Sequence, residues 1–263
     1  MIWSAENGGG LHERHEHLSC RVMVVASFGG GVNSTAMLIG MVERGEKCDL
    51  ILFADTGGEK PHTYAHELDF SDWLRANGMP MVTTVKGAKT LEDDCLDRHA
   101  LPSVAYGFKT CSQRFKLRPQ DNFLKQYLPA QGKEITRLIG FDADEPHRAK
   151  PFAGNRYPLI EWGWGRDECI EAIDRAGVKQ PGKSACFFCP SSTKKEIHEL
   201  RRMYPDLAKR AVAMEQNAEL TTIKGLGRRF AWGDLYAAED GQDKLFPESP
   251  IEIDCGCYDG GAE

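Results

Sequence analysis

No apolar run in the sequence approaches the roughly 20 residues that a membrane-crossing helix needs. The first twenty residues are polar, with His12, His15 and His17 among acidic neighbours, unlike a signal peptide. These two absences imply a cytoplasmic protein without a membrane partner. Basic residues are not in excess either. Lys and Arg number 33 against 39 Asp and Glu, a net charge of −6, so the chain does not coat nucleic acid through overall charge and any anion site must be local. The glycine run Gly29-Gly30-Gly31 is not followed by a Lys-Ser/Thr pair and carries no Gly-x-Gly-x-x-Gly fingerprint, so that run is neither a Walker loop nor a Rossmann dinucleotide loop. No repeat or low-complexity tract is present. With 41% hydrophobic and 27% charged residues the composition is that of a globular chain rather than a disordered one. Nine cysteines without an export signal read as thiols, metal ligands or catalytic groups, not as a disulfide framework.

What is present is an alternation. Val22–Ala26 is a short β-branched run of the kind buried on both faces of a parallel sheet, and it is followed by a glycine loop and a helical pattern from Ser34 to Arg44, with Gly45 placed as a C-cap. The pattern recurs with a strand at Leu50–Ala54 and a helix from Pro61 to Arg75, then a strand at Met81–Val85, a helix from Pro119 and a strand at Glu134–Phe141. Such alternation predicts an α/β fold, a doubly wound parallel sheet whose ligands lie outside the carboxyl ends of its strands. After Gly165 the sequence reads as helices at 166–176, 194–203 and 206–217. The expected organisation is a flexible arm at 1–20, a nucleotide-binding α/β domain at 21–165, and a helical, cysteine-containing extension and tail at 166–263.

The segment Ser27-Phe28-Gly29-Gly30-Gly31-Val32-Asn33-Ser34-Thr35 lies between the first strand and the first helix. Glycines let backbone amides approach an anion closely, and a helix N-terminus favours negative charge, so the loop is a candidate phosphate cradle that needs no lysine. The same pattern also serves a tight turn with positive φ, Asn33 or Ser34 being then an N-cap. The segment resembles the PP-loop, SGGxDS, of ATP pyrophosphatases and of the phosphoadenosine phosphosulfate (PAPS) reductase-like family. It departs at Gly29, where serine is usual, and at Asn33, where the family has aspartate. Asn33 cannot serve magnesium as a carboxylate ligand would.

Three further segments are similar to that family. Asp55-Thr56-Gly57-Gly58-Glu59, followed by Thr63-Tyr64, resembles its DTGxE…T segment, which implies Asp55 and Thr56 beside the nucleotide. Gly140 to Arg148 resembles its GxRxxExxxR segment at Gly140, Glu145 and Arg148, with Asp142 standing where a basic residue is common. An acid there repels a phosphosulfate group. Tyr157–Trp162 resembles its PLxxW stretch, read here as packing. The resemblance implies an adenine nucleotide partner, ATP, APS or PAPS, with magnesium as an accompanying ion.

Cys186-Phe187-Phe188-Cys189-Pro190 places two thiols at a spacing that grips one metal or cluster edge. Cys111 sits where cluster-bearing relatives place a ligand, and Cys257 or Cys255 would complete a set of four. Four thiolates suit zinc or a 4Fe–4S cluster, and the resemblance favours the cluster. Cys20, Cys48, Cys95 and Cys169 read as core residues. The tail around Cys255 is similar to the end of sulfonucleotide reductases, which implies Cys255 as a catalytic thiolate acting with a thioredoxin-like reductant; Lys109, Arg114, Lys116 and Arg118 are the candidates for lowering its pKa. The expected function is therefore sulfonucleotide reduction. Its alternatives are ATP-dependent sulfur insertion into nucleic acid, of the DNA phosphorothioation or tRNA thiolation type, with Lys194, Lys195, Arg201, Arg202, Arg228 and Arg229 as a candidate backbone-binding patch, and a non-catalytic nucleotide-binding protein with a structural metal.

Overall fold

The computed structural model describes residues 22–102, 110–127, 134–150 and 152–240. The sheet is built from β1 (Met23–Phe28), β2 (Leu50–Asp55), β3 (Val82–Lys86), β4 (Ile135–Ile139) and β5 (Asn155–Arg156), in the order β3-β2-β1-β4-β5, with every pairing parallel. This is the expected doubly wound α/β sheet. Every residue of β2 is buried, and alternate residues go to opposite faces. Ala26, Phe28, Ile51 and Phe53 join one apolar cluster, whereas Val25, Leu50, Leu52 and Ala54 join another with Leu124. Two buried faces are what a continuous β-branched run implies.

The first face is covered by α1 (Val32–Glu43) and α2 (Pro61–Ala76), which supply Met37, Leu38, Phe70 and Leu74. The second is covered by a helix built of α4 (Thr110–Ser112), a π-helical turn (Gln113–Leu117) and α5 (Arg118–Tyr127), so the helix expected from Pro119 starts a good two turns earlier. A π turn in mid-helix re-aims side chains and recurs at functional sites. Two further elements lie between the sheet strands, α3 (Leu91–Asp97), capped by Thr90, and a 3-10 turn (Pro146–Arg148), and the short α6 (Pro158–Glu161) follows β5.

Beyond residue 165 the apolar core continues without a break. Cys169, Ala172 and Ile173 of α7 (Arg166–Arg175) belong to the same cluster as α1 and the sheet. Trp162 and Trp164 pack there too: a Cβ on Gly40 would fall 2.5 Å from the Trp162 ring, and the Arg44 guanidinium lies 4.2 Å from that ring's centroid. The helices α8 (Lys194–Met203), α9 (Pro205–Asn217) and α10 (Trp232–Asp240) gather with α3, Phe115, Phe187 and Phe188 around a separate cluster. Cys48, Cys95 and Cys169 are core residues, as expected. Cys20 lies outside the described residues.

Candidate functional site

In this strand order the direction of winding reverses between β1 and β4, and ligands of open parallel sheets lie in the crevice at such a point. The glycine loop leaves β1 there, and Gly140 leaves β4 beside it. A Cβ on Gly140 would stand 3.1 Å from both Cα and N of Ser34, so the backbone of the β4 exit lies directly on the start of α1. Gly30 takes φ +72°, and a Cβ there would meet Thr63 Cγ2 at 2.8 Å. The N-cap of α1, Gly31, makes no side-chain capping bond and the first turn holds no acid, which leaves the helix's leading amides for an outside acceptor.

Ser34 clasps the loop: its hydroxyl accepts the Gly29 amide at 3.2 Å and donates to the Gly31 carbonyl at 3.1 Å. Thr35, expected among the ligand hydroxyls, is buried and donates to the same carbonyl at 2.9 Å. Because that proton is spent, His66 Nε2, 3.0 Å away, is the donor to Thr35 Oγ1. Burial pushes the His66 pKa down, which keeps the ring neutral. Ser27 and Phe28 also turn inward. The Ser27 hydroxyl donates to Gln120 Oε1 at 3.1 Å, and Phe28 stacks on Phe70. Of the expected loop residues, Gly29 to Ser34 frame the crevice, while Ser27, Phe28 and Thr35 contribute backbone and support.

The two departures from the PP-loop pattern meet. Asn33 Nδ2 donates to Asp142 Oδ2 at 2.6 Å, and Arg166 Nη1 donates to Asn33 Oδ1 at 3.1 Å. Asp142 is buried, and its other oxygen accepts the Glu145 amide. An amide at position 33 thus fits an acid at 142, where two carboxylates would repel. Glu145 pairs with Arg148, whose guanidinium lies over the Phe141 ring, so neither of these side chains is committed to the crevice.

Asp55 ends β2 as expected, but its carboxylate is engaged within the protein. Oδ1 accepts Tyr64 OH at 2.6 Å and the Gly57 amide at 2.8 Å, and Oδ2 pairs with Lys86 at 3.0 Å. Burial opposes its ionisation, yet these partners outweigh it and hold the pKa below the usual value. Thr56 faces the cysteine loop: its Oγ1 lies 3.2 Å from Cys186 Sγ.

The cysteine segment docks on the loops that follow β1 and β2. Cys186 bridges Glu59, the Phe187 amide donates to the Gly58 carbonyl at 2.8 Å, and a Cβ on Gly31 would lie 2.9 Å from Ser184 Oγ. Burial first, then the Glu59 charge, pushes the Cys186 thiol up to about 12. Burial and the neighbouring Cys189 raise Cys111. Lys116, carried by the π turn, pairs with buried Glu59 at 2.8 Å; burial opposes its charge, but Glu59 and the sulfurs of Cys186 and Cys189 raise its pKa. Glu59 Oε2 has no hydrogen-bond partner among the described residues. Cys111, Cys186 and Cys189 are thus thiols of one neighbourhood, with a cation among them, and fit a thiolate-held metal or cluster in donor type. Among the described residues no three His, Cys, Asp or Glu side chains are grouped so as to hold an ion. Cys255 and Cys257 lie outside the described residues, as does Lys109. Arg114 is committed to Asp94 through two bonds of 3.1 Å.

Ser184, Lys116, Arg166 and His66 are the site residues that sequence reasoning did not assign to these contacts. His66 stands 31 residues from Thr35 and Arg166 stands 133 from Asn33, and no local pattern signals such pairings.

A scan of protein-family models finds no match to the chain, and a search of curated proteins finds none. Among solved structures the chain is similar to the U34-tRNA thiolase NcsA from Methanococcus maripaludis with its 4Fe–4S cluster, at 14% identity, over 82% of this chain and 81% of that one, with a TM-score of 0.44.

Proposed function

We propose that this protein binds ATP on the Gly29–Ser34 loop and uses it to activate a nucleic-acid acceptor for sulfur transfer. The observation that carries the reading is the docking of the Ser184–Cys189 segment, with Cys186 on Glu59 and Ser184 against Gly31, which sets thiols beside a phosphate-type crevice. In the reaction an acceptor oxygen attacks the α-phosphorus, the bond to the bridging oxygen breaks and pyrophosphate leaves. Hydrosulfide supplied as co-substrate then displaces AMP, which carries the acceptor oxygen away, and the incoming sulfur loses its proton to leave the thio group. The leading amides of α1 orient the phosphates and stabilise charge on them without reorganising. Lys116 supplies positive charge beside Cys186 and Cys189.

Cys111, Cys186 and Cys189, with Cys255 or Cys257, are the residues that would hold an iron–sulfur cluster or zinc, and a cluster there would supply a site for binding sulfide. Sulfonucleotide reduction through Cys255 is the less supported reading, because the buried Asp142 beside the glycine loop is an unfavourable neighbour for the extra charge of a phosphosulfate.

The deciding experiment incubates the anaerobically purified protein with ATP, RNA or DNA and sulfide, and follows pyrophosphate and thionucleosides by mass spectrometry. Acceptor-dependent pyrophosphate release, with sulfur incorporation abolished in Cys186→Ser while ATP binding persists, supports the proposal. Sulfite released from APS or PAPS without an acceptor contradicts it.

A further inference from the structure

The segment joining α9 to α10 takes no part in the site above, yet it is folded around a single buried carboxylate. Glu215, near the end of α9 and 6% exposed, accepts the amides of Leu226 at 2.7 Å, Trp232 at 2.9 Å and Gly233 at 3.1 Å. A Cβ on Gly225 would collide with Glu215 Oε2, and one on Gly227 would fall 2.5 Å from the Phe230 ring. Arg228 adopts φ +63°, a left-handed conformation that a side chain disfavours. Its carbonyl accepts the Lys224 amide at 2.8 Å, which closes the loop. A buried acid, two obligatory glycines and one strained arginine fix this segment in one shape.

That shape presents cations. Lys224, Arg228 and Arg229 are exposed on it, and Lys194 Nζ lies 5.4 Å from the Phe230 ring, which brings Lys194 and Lys195 of α8 alongside. None of these five is in an ion pair among the described residues. In a chain of net charge −6 this is a local contrast, and local contrast steers polyanions. Strain held at an exposed position points to a function rather than to stability.

We infer that the Lys224–Phe230 loop, with Lys194 and Lys195, docks the phosphate backbone of a nucleic-acid strand. The inference rests on the reading of the chain as acting on nucleic acid, and it names the face that holds the acceptor. Five cations on two elements match a ligand with repeated charge, not a mononucleotide. Adjacent guanidinium forks suit phosphate oxygens, and a preformed loop reduces the ordering cost of binding. A lipid surface is the poorer match: Phe230 is half-buried beneath Lys194 and leaves no apolar side chain to insert.

The test is fluorescence anisotropy of a labelled RNA stem–loop and of DNA of the same length, over a series of salt concentrations, with the full chain. Lys224→Ala/Arg228→Ala/Arg229→Ala should weaken binding at least tenfold and flatten the salt slope by about 2 units, since each phosphate that a removed cation no longer neutralises is worth about 0.7–0.9. Arg75→Ala, an exposed cation of α2 paired with Asp72, should leave both unchanged. Arg228→Gly, which keeps the loop conformation, guards against a folding artefact and should weaken binding in the same direction. Calorimetry with ATP on the same variants should give wild-type affinity. Triple-variant binding with an unchanged slope, absence of RNA and DNA binding by the wild type, or equal affinity for anionic phospholipid vesicles would each overturn the inference. Loss of ATP binding in the wild type alone would instead remove the catalytic reading and leave the docking surface standing.

Discussion

Replacing Asn33 by aspartate restores the residue usual in the PP-loop pattern, and it should damage this protein. The carboxylate would sit where an amide now donates to Asp142 at 2.6 Å. Two unit charges about 3 Å apart repel by about 5 kcal/mol at an effective dielectric near 20. The Arg166 guanidinium, 3.1 Å away on the other side, returns most of that. What is not returned is the hydrogen bond to a buried charged acceptor, a loss of about 2 kcal/mol. For a chain of this size each kcal/mol shifts Tm by about 2–4 °C, so Asn33→Asp should melt about 4–8 °C lower near neutral pH. The deficit carries a pH signature. Two close carboxyls share a proton, so the folded pKa of the pair is raised above the unfolded value. Stability is then intact below the ordinary carboxyl pKa of about 4 and is lost as pH rises through the raised value. Differential scanning fluorimetry should show a smaller deficit at about pH 5 than at about pH 8. Adding Asp142→Asn should recover most of the loss, because the amide and the acid merely exchange places. Equal melting of Asn33→Asp and wild type at about pH 8, or no recovery in the double variant, would refute the pairing.

Tyr64→Phe removes the 2.6 Å bond that helps to hold the Asp55 pKa down. A depressed carboxyl stabilises above its unfolded pKa and loses that stability as pH falls through the folded value, so acid unfolding should begin at higher pH in the variant, read by circular dichroism. In metal-free protein the Cys186 thiol, pushed up to about 12, should resist iodoacetamide near pH 8 while exposed model thiols react, read by peptide mass spectrometry; rapid labelling would show a field stronger than Lys116 provides. Arg228→Gly relieves the left-handed strain and should raise stability by about 1 kcal/mol in urea titration; a lower midpoint would show that the side chain carries packing instead.

The sheet was legible because its central strands are buried on both faces, so that Val22–Ala26 and Leu50–Ala54 read as continuous apolar runs close to the observed β1 and β2. β5 was missed because it is two polar residues, Asn155 and Arg156, paired only with β4 at the sheet's edge. α3 carried a signal that went unused, Thr90 capping the Asp93 amide. α10 had little apolar periodicity to betray it. The glycine loop could be read because its chemistry is consecutive in sequence. Which of its side chains face the crevice could not, since Thr35 turns away for a histidine 31 residues on. The Asn33–Asp142 exchange looks like two separate departures until the fold brings 109 residues of separation to one hydrogen bond.

The central claim is that backbone amides at the start of α1 hold the phosphates of an adenine nucleotide, and calorimetric titration tests it most directly. Wild-type protein should bind ATP at least 100-fold more tightly than adenosine, since two or more charge-assisted bonds of about 1.5–3 kcal/mol separate the two ligands. Gly140→Ala, whose Cβ would press on the Ser34 backbone at 3.1 Å, should lose most of that difference while keeping adenosine affinity. ATP and adenosine binding alike, or no heat from ATP at millimolar concentration, would contradict the account.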